Sequence, residues 1–318
     1  MPHRRNLPGL RAQDVVLTLF GDYLLRREAP VWTGSLITLL GRLGLSSMAA
    51  RTALSRMARR GWLTVARRGT RSYHDLTLRG RAVLAEGGRR IHHPPREEPW
   101  DGTWLLVAFS IPESRRRLRD QLRVKLQWLG CAPLTNGLWI TPHDVRREIQ
   151  AIATELRVAK HVELFRGPHI GFAGGPDLVA RCWNLKAVNA HYATFIDRWG
   201  ADFDRCRDCV KSGGQLPIPN SCADPAECFR RRFMLVHEYR RFPLEDPFLP
   251  RQLLPAGWRG EEAAQLFERY DDVLTEPAER YVRLVVEAGD RLGRAAEREA
   301  GTAGKPDGKR VLAGAASD

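Results

Sequence analysis

The sequence predicts a multidomain α+β protein of 318 residues: an N-terminal winged helix-turn-helix, a central ferredoxin-like sandwich and a helical C-terminal domain. Three observations carry that expectation. The stretch Ser46 to Leu76 reads SSMAARTALSRMARRGWL and then TVARRGTRSYHDL, a helix, a glycine stop and an arginine-tipped hairpin. The stretch Trp100 to Arg166 alternates in the order βαββαβ, and beyond Pro176 the apolar residues recur mostly at helical spacing.

In chain order, a short basic arm precedes QDVVLTLFGDYLL (Gln13 to Leu25), a helix with Val15, Val16, Leu19 and Phe20 on its inner side. Pro30 breaks it, and SLITLLGRLG forms a second short helix capped by Thr33 or Ser35. The third helix starts at Ser46 or Ser47. Its Ala50, Ala53, Leu54 and Met57 fall at the i, i+3, i+4, i+7 spacing of a buried face. The helical repeat turns Met48, Thr52, Ser55 and Arg59 the other way, with Arg51 and Arg56 on the flanks. A face polar along its middle and positive at its edges suits the major groove of DNA. Gly61 ends the helix, and Arg67-Arg68-Gly69-Thr70 forms the tip of the wing.

Charge supports the same reading. The first 90 residues hold 17 arginines against 5 acidic residues, so +12 of the chain's net +14 resides there. Such asymmetry points to a polyanion bound by one end of the chain. The expected DNA-contacting set is Ser47, Arg51, Thr52, Ser55, Arg56, Arg59, Arg60, Arg67, Arg68 and Arg71. Arg51, Thr52 and Ser55 are placed for base edges. Arg56, Arg59, Arg60 and the wing arginines suit phosphates, or for the wing alternatively the minor groove.

Thr77 to Glu86 reads as a closing helix, and AEGGRRIHHPPREEPW as a linker with His92 and His93 at its surface. The central unit then offers TWLLVAFSI as a strand, Ser114 to Leu129 as a helix, APL and GLWIT as strands about Asn136-Gly137, Asp144 to Leu156 as a helix and HVELFRG as the last strand. Its first helix carries Arg115, Arg116, Arg117, Arg119 and Arg123, either a solvated face balanced by Glu113 and Asp120 or a phosphate contact. Helices follow over Leu178 to Asp204, from Phe229, over EEAAQLFERY and over PAERYVRLVVEAG. The expected boundaries are 1–88 for the winged helix, 89–99 for the linker, 100–175 for the sandwich, 176–298 for the helical domain and 299–318 for a disordered tail.

No apolar run approaches the roughly 18 residues that cross a bilayer, and the basic N-terminus lacks an apolar core for secretion. A cytoplasmic protein with no membrane association is expected. Cys206, Cys209, Cys222 and Cys228 are spaced C-x2-C-x12-C-x5-C, wider in the second pair than zinc sites use. Reduced thiols are expected there, with no metal and no cofactor.

Several stretches together resemble the PaaX-like family of bacterial transcriptional repressors: LTLFGDYLL, VWTGSLITLLGRLGLSSMAARTALSRMARRGWL, RRGTRSYHDLTLRG, WDGTWLLVAFSIPESRRRLRDQLR, GLWITP and MLVHEYRRFPLEDPFLPRQLLPAGWRG. They agree with the family in order and spacing over about nine tenths of the chain. The resemblance implies a Cas2-like central domain, a homodimer on a double-stranded operator, and repression of phenylacetate-type catabolic genes relieved by an aryl acyl-CoA, typically phenylacetyl-CoA. Such an effector needs cations for phosphates and an apolar slot for the acyl group. Arg230, Arg231, Arg232, Arg240 and Arg241, with His237, Tyr239, Phe242 and Trp258, supply both types. His237-Glu238 is not a zinc-protease signature, because Arg241 stands where its second His belongs.

The rival is a metal-dependent nuclease of Cas2-like type. Such an enzyme needs a carboxylate at the end of the first central strand, where this chain has Phe109-Ser110-Ile111-Pro112 and no acid before Glu113. No catalytic residue is therefore expected.

Overall fold

The computed structural model describes residues 11–92, 99–172, 174–211 and 224–302. The basic arm, His93, Cys222, the side chain of Cys209 and the tail beyond Thr302 lie outside the described residues. Two compact units are present: one joins the segment ending at Ala85 to the segment beginning at Pro277, and the other spans Glu86–Glu276.

The first unit begins with α1 (Ala12–Leu19), which continues as a π-helical turn over Phe20–Leu24. Strand β1 (Val31–Trp32) leads into α2 (Thr33–Arg42), and α3 (Ser47–Arg59) follows after a turn at Gly44, whose φ of 87° excludes most side chains. The expected cap of α2 differs from the observed one. Thr33 donates to the Ser72 carbonyl (2.7 Å) and Ser35 to the Val285 carbonyl (3.2 Å), so both hydroxyls tie neighbouring elements together. Strands β2 (Leu63–Arg68) and β3 (Arg71–Leu76) form the hairpin, and β1 joins it in the order β1-β3-β2. Val15, Val16, Leu19, Leu36, Leu39, Leu40, Ala50 and Leu54 form the buried centre. Each buried leucine contributes about 1.5–3 kcal/mol relative to exposure.

Helix α4 (Leu78–His92) runs through much of the expected linker, glycines included. Each glycine costs about 1 kcal/mol there. At the far end His92 lies at the surface, as expected, with its ring against Phe267, centroids 5.7 Å apart.

In the second unit β4 (Thr103–Phe109), α5 (Arg116–Trp128), β5 (Ala132–Thr135), β6 (Leu138–Thr141), α6 (Arg146–Glu155) and β7 (Val162–Pro168) build an antiparallel sheet in the order β5-β6-β4-β7. This is the ferredoxin-like arrangement expected. Side chains along β4 alternate between two cores. Leu105, Val107 and Phe109 pack with Leu122, Leu126 and Ile149, while Trp104 packs with Ile140, Leu178, Val179, Leu249 and Leu253. The second set closes the sheet's other face with C-terminal residues.

Those residues form α7 (Gly175–Cys182), α8 (Leu185–Lys211), α9 (Pro225–Tyr239), the single turn α10 (Phe242–Glu245) and α11 (Gly260–Thr302). Two expectations change. The helix expected over Leu178 to Asp204 breaks before Asn184, whose side chain accepts from the Ala187 amide (3.2 Å) and starts α8. The two helices expected after Gly260 are one, with Pro277 inside it, and helix persists to Thr302 within the expected tail. Leu274 before the proline and Ala278 and Val282 after it are each buried, and burial of this kind outweighs the lost backbone bond.

Candidate nucleic-acid interface

Helix α3 presents two faces. Ala50, Ala53, Leu54 and Met57 are buried, and Ser47, Arg51, Thr52, Ser55, Arg56 and Arg59 are exposed, as their spacing requires. Ser46 is the N-cap, its hydroxyl accepting from the Ala49 amide at 3.2 Å. Ser47 is therefore left at the exposed first turn. Arg56, Arg59 and Arg60 line one shallow concavity of ≈ 250 Å³. Arg60 is also held by Gln13 at 2.7 Å.

On the β2–β3 hairpin, the expected wing, Arg67 and Arg68 are exposed, and the Arg68 guanidinium lies 5.1 Å from the Tyr73 ring centroid. Arg71 departs from the expected role of a free wing cation. It is half-buried, and its guanidinium covers the Trp32 ring at 4.7 Å. Periodicity could not reveal this, because the two residues lie on different strands.

Among the described residues, none of the seven arginines of α3 and the wing forms an ion pair. Three arginines of α5 contrast with them. Arg119 meets Glu113 at 2.8 Å, Arg116 approaches Glu113 and Asp120 at 3.8 and 3.9 Å, and Arg123 lies 3.8 Å from Asp120. Paired cations have little to gain from a polyanion. Unpaired ones hold counterions that DNA phosphates can displace. Glu113, engaged by two arginines, is also a poor substitute for the missing nuclease carboxylate.

The residues expected around the effector are not brought together. His237 is buried against Phe233 in a parallel stack, 5.7 Å between centroids, and burial, aided by the Arg240 charge, pushes its pKa down to about 4. It is neutral near pH 7 and offers phosphate no charge. Most of the expected phosphate cations are internally paired: Arg230 and Arg231 with Glu227 (2.6 and 3.0 Å), Arg232 with Asp271 (3.0 Å) and Arg241 with Glu245 (3.0 Å). Tyr239 stacks on Phe267 at 3.9 Å.

Tyr239 and Trp258 do line a cleft of ≈ 2020 Å³ in the second unit, whereas His237, Arg240 and Arg241 do not. Trp183, Tyr192, Leu254 and Pro247 give it aromatic and apolar surface, and Arg89, Arg166 and Arg251 are its cations. Arg166 is already shared between Asp101 (2.7 Å) and Asp144 (2.8 Å). One wall is the Asp246-Pro247-Phe248 turn. Buried Asp246 accepts from the Tyr192 hydroxyl and the Phe248 amide, both at 2.7 Å, and burial raises its pKa despite these bonds. Phe248 has a φ of 51°, in the left-handed region that L side chains rarely adopt. A hydrogen bond of 2.9 Å from His143 Nε2 to the Pro247 carbonyl secures the turn. These residues come from segments far apart in the chain; only the turn-rich DPFLP hinted at them.

The cysteines depart from the expected reduced set. Cys206 is disulfide-bonded, while Cys131, Cys182 and Cys228 are not. A disulfide sulfur is not a thiolate ligand, and this concerns Cys206 alone.

Family models match in three consecutive segments: PaaX-like protein over residues 11–80, the PaaX protein central Cas2-like domain over 97–179 and the PaaX-like protein C-terminal domain over 183–284. The transcriptional repressor PaaX of Escherichia coli (strain K12) is 34% identical over 271 residues, covering 83% of this chain and 80% of that protein. Among solved structures, the uncharacterized protein Rv0674 from Mycobacterium tuberculosis aligns with a TM-score of 0.52 at 20% identity, over 85% of this chain and 97% of its own. That likeness concerns the fold.

Proposed function

The chain belongs to the PaaX-like family, and on that premise we propose that it represses aromatic, phenylacetate-type catabolic genes and is released by an aryl acyl-CoA such as phenylacetyl-CoA. It is a DNA-binding transcriptional repressor and not an enzyme. In this reading residues 1–88 are a winged helix-turn-helix, 100–175 the Cas2-like domain and 176–298 the effector and dimerisation domain. The active form is a cytoplasmic homodimer.

The observation that carries DNA binding is the set of seven arginines on α3, at its C-cap and on the wing, without carboxylate partners among the described residues. Arg51, Thr52 and Ser55 read base edges. Arg56, Arg59, Arg60, Arg67 and Arg68 hold phosphates or enter the minor groove. A dimer doubles this surface and requires two half-sites set by the helical repeat of DNA. No helix among the described residues is long and apolar enough to cross a membrane.

For the effector, the aromatic cleft around Trp183, Tyr192 and Trp258 supports an acyl slot, with Arg251 in its lining as a cation for phosphate, while Arg89 there is paired with Glu86. Two measurements test the proposal. Selection from a random duplex pool must enrich a sequence containing two half-sites. Titration calorimetry with phenylacetyl-CoA, free phenylacetate and CoA must give heat for the thioester, and the thioester must displace the selected duplex. Absence of heat from any acyl-CoA would remove this class of effector.

A further inference from the structure

The first unit is completed by a segment far from it in sequence. The part of α11 from Pro277 onward buries Val282, Val286, Gly289 and Gly293, spaced 4, 3 and 4 residues apart along one helical face. Polar contacts frame this seam. Asp290 pairs with Arg27 at 2.7 Å, the Val285 carbonyl accepts from Ser35 at 3.2 Å, and the Tyr281 hydroxyl accepts from Arg42 at 3.2 Å. Both glycines sit where a side chain does not fit. A Cβ on Gly289 would collide with Ser35 Oγ and lie 3.0 Å from the Trp32 ring. A Cβ on Gly293 would lie 2.6 Å from the Tyr73 hydroxyl and 3.8 Å from Arg71 Nη1.

Trp32 and Tyr73 are directly paired across β1 and β3, so the two glycines admit the helix onto the base of the wing. Arg71, at the start of β3, stacks on Trp32 beneath this contact, and its Nη1 is buried with no hydrogen-bond partner. The ring and the covering helix, rather than a hydrogen bond, hold the guanidinium. The position of β3 in turn fixes the turn at Gly69-Thr70 and the neighbouring Arg67 and Arg68.

We propose that Tyr281–Gly293 is a positioning element for DNA binding: through Gly289 and Gly293 it sets the wing against Trp32, and so places Arg67 and Arg68 on the duplex. The proposal rests on the reading of the wing as a DNA contact. Gly289 and Gly293 themselves lie beyond the last family-matched segment, which ends at residue 284.

The test uses the full chain and the duplex that the wild type enriches from a random pool, with fluorescence anisotropy for affinity and hydroxyl-radical footprinting for the wing and α3 contacts. Gly289→Ala and Gly293→Ala should each weaken binding by about tenfold, the usual scale of an overpacked contact. They should lose the wing footprint and keep that of α3. Alanine is the better helix former, so helix propensity cannot account for such a loss. Ser35→Ala combined with Gly289→Ala, and Tyr73→Phe combined with Gly293→Ala, remove the colliding oxygens. Each pair should restore affinity to within about twofold. Asp290→Ala, which adds no bulk, should give a smaller loss of the same kind and covers the case in which a glycine variant fails to fold. Glycine variants that bind like wild type, or folded relief pairs that remain weak, would overturn the positioning role alone. A wild type that enriches no DNA would overturn the DNA-binding reading, and the positioning role with it.

Discussion

The guanidinium of Arg71 lies over the indole of Trp32, 4.7 Å from the ring centroid, and this contact separates two kinds of wing arginine. Arg67, exposed and without an ion-pair partner among the described residues, is available to phosphate. Arg71→Ala should lower stability by about 1 kcal/mol and weaken DNA binding with little change in its salt dependence. Arg67→Ala should leave stability unchanged and reduce the slope of log K against log salt by about 0.9. Thermal melting and anisotropy over a salt series separate the two; a reduced slope for Arg71→Ala would return that residue to the phosphate contacts.

On α3, Arg51→Ala should lower affinity and also alter base preference, because a bidentate base contact contributes about 1–3 kcal/mol of discrimination. The comparison is between selected and scrambled duplexes. Equal losses on both would sink the assignment of Arg51 to readout.

Carboxylates already pair Arg116, Arg119 and Arg123 on the arginine-rich helix of the central domain. Arg119→Ala and Arg123→Ala should therefore leave operator affinity within the scatter of the wild type, with at most about 1 kcal/mol of stability lost from exposed pairs. A tenfold loss of binding from either would reinstate that helix as a DNA surface.

Tyr192 donates 2.7 Å to the buried Asp246 carboxyl at the wall of the cleft. Tyr192→Phe removes that donor and should cost about 1–3 kcal/mol in stability. If the cleft holds the acyl group, acyl-CoA affinity should fall as well, read by calorimetry well below the melting temperature, while DNA affinity without effector stays constant. Unchanged acyl-CoA binding would move the effector away from this wall.

Mild acid should destabilise the second unit through its buried histidines. His237 takes a proton near its ordinary 6.5 in the unfolded chain but only at about 4 when folded. Between those values the unfolded state binds more protons, so stability falls as pH drops through this window and levels off below it. Burial lowers His143 in the same sense, which leaves a residual slope. His237→Gln should flatten the dependence of Tm on pH between about 6.5 and 4; a full slope in that variant would assign the effect elsewhere.

What was legible in the sequence was local and periodic. The buried and exposed faces of α3 follow from a 3.6-residue repeat, the β2–β3 hairpin from Gly61 and Gly69, and the βαββαβ order from alternating apolar runs. The break at Asn184 and the continuity of α11 across Pro277 were harder to read. A cap competes there with a long apolar pattern, and a proline's local penalty competes with packing on a distant surface.

The sequence alone determined which elements form, where the positive charge concentrates and which side of α3 faces outward, because chirality and hydrophobic burial act over neighbouring residues. Tertiary structure decided which arginines remain unpaired, why Arg71 stacks rather than projects, which residues line the cleft, and that Gly289 and Gly293 admit a C-terminal helix to the wing. Those outcomes depend on contacts such as Trp32 with Arg71 and Ser35 with Val285. Their partners can lie 250 residues apart, as Ser35 and Val285 do, and no periodicity in a linear chain encodes that separation.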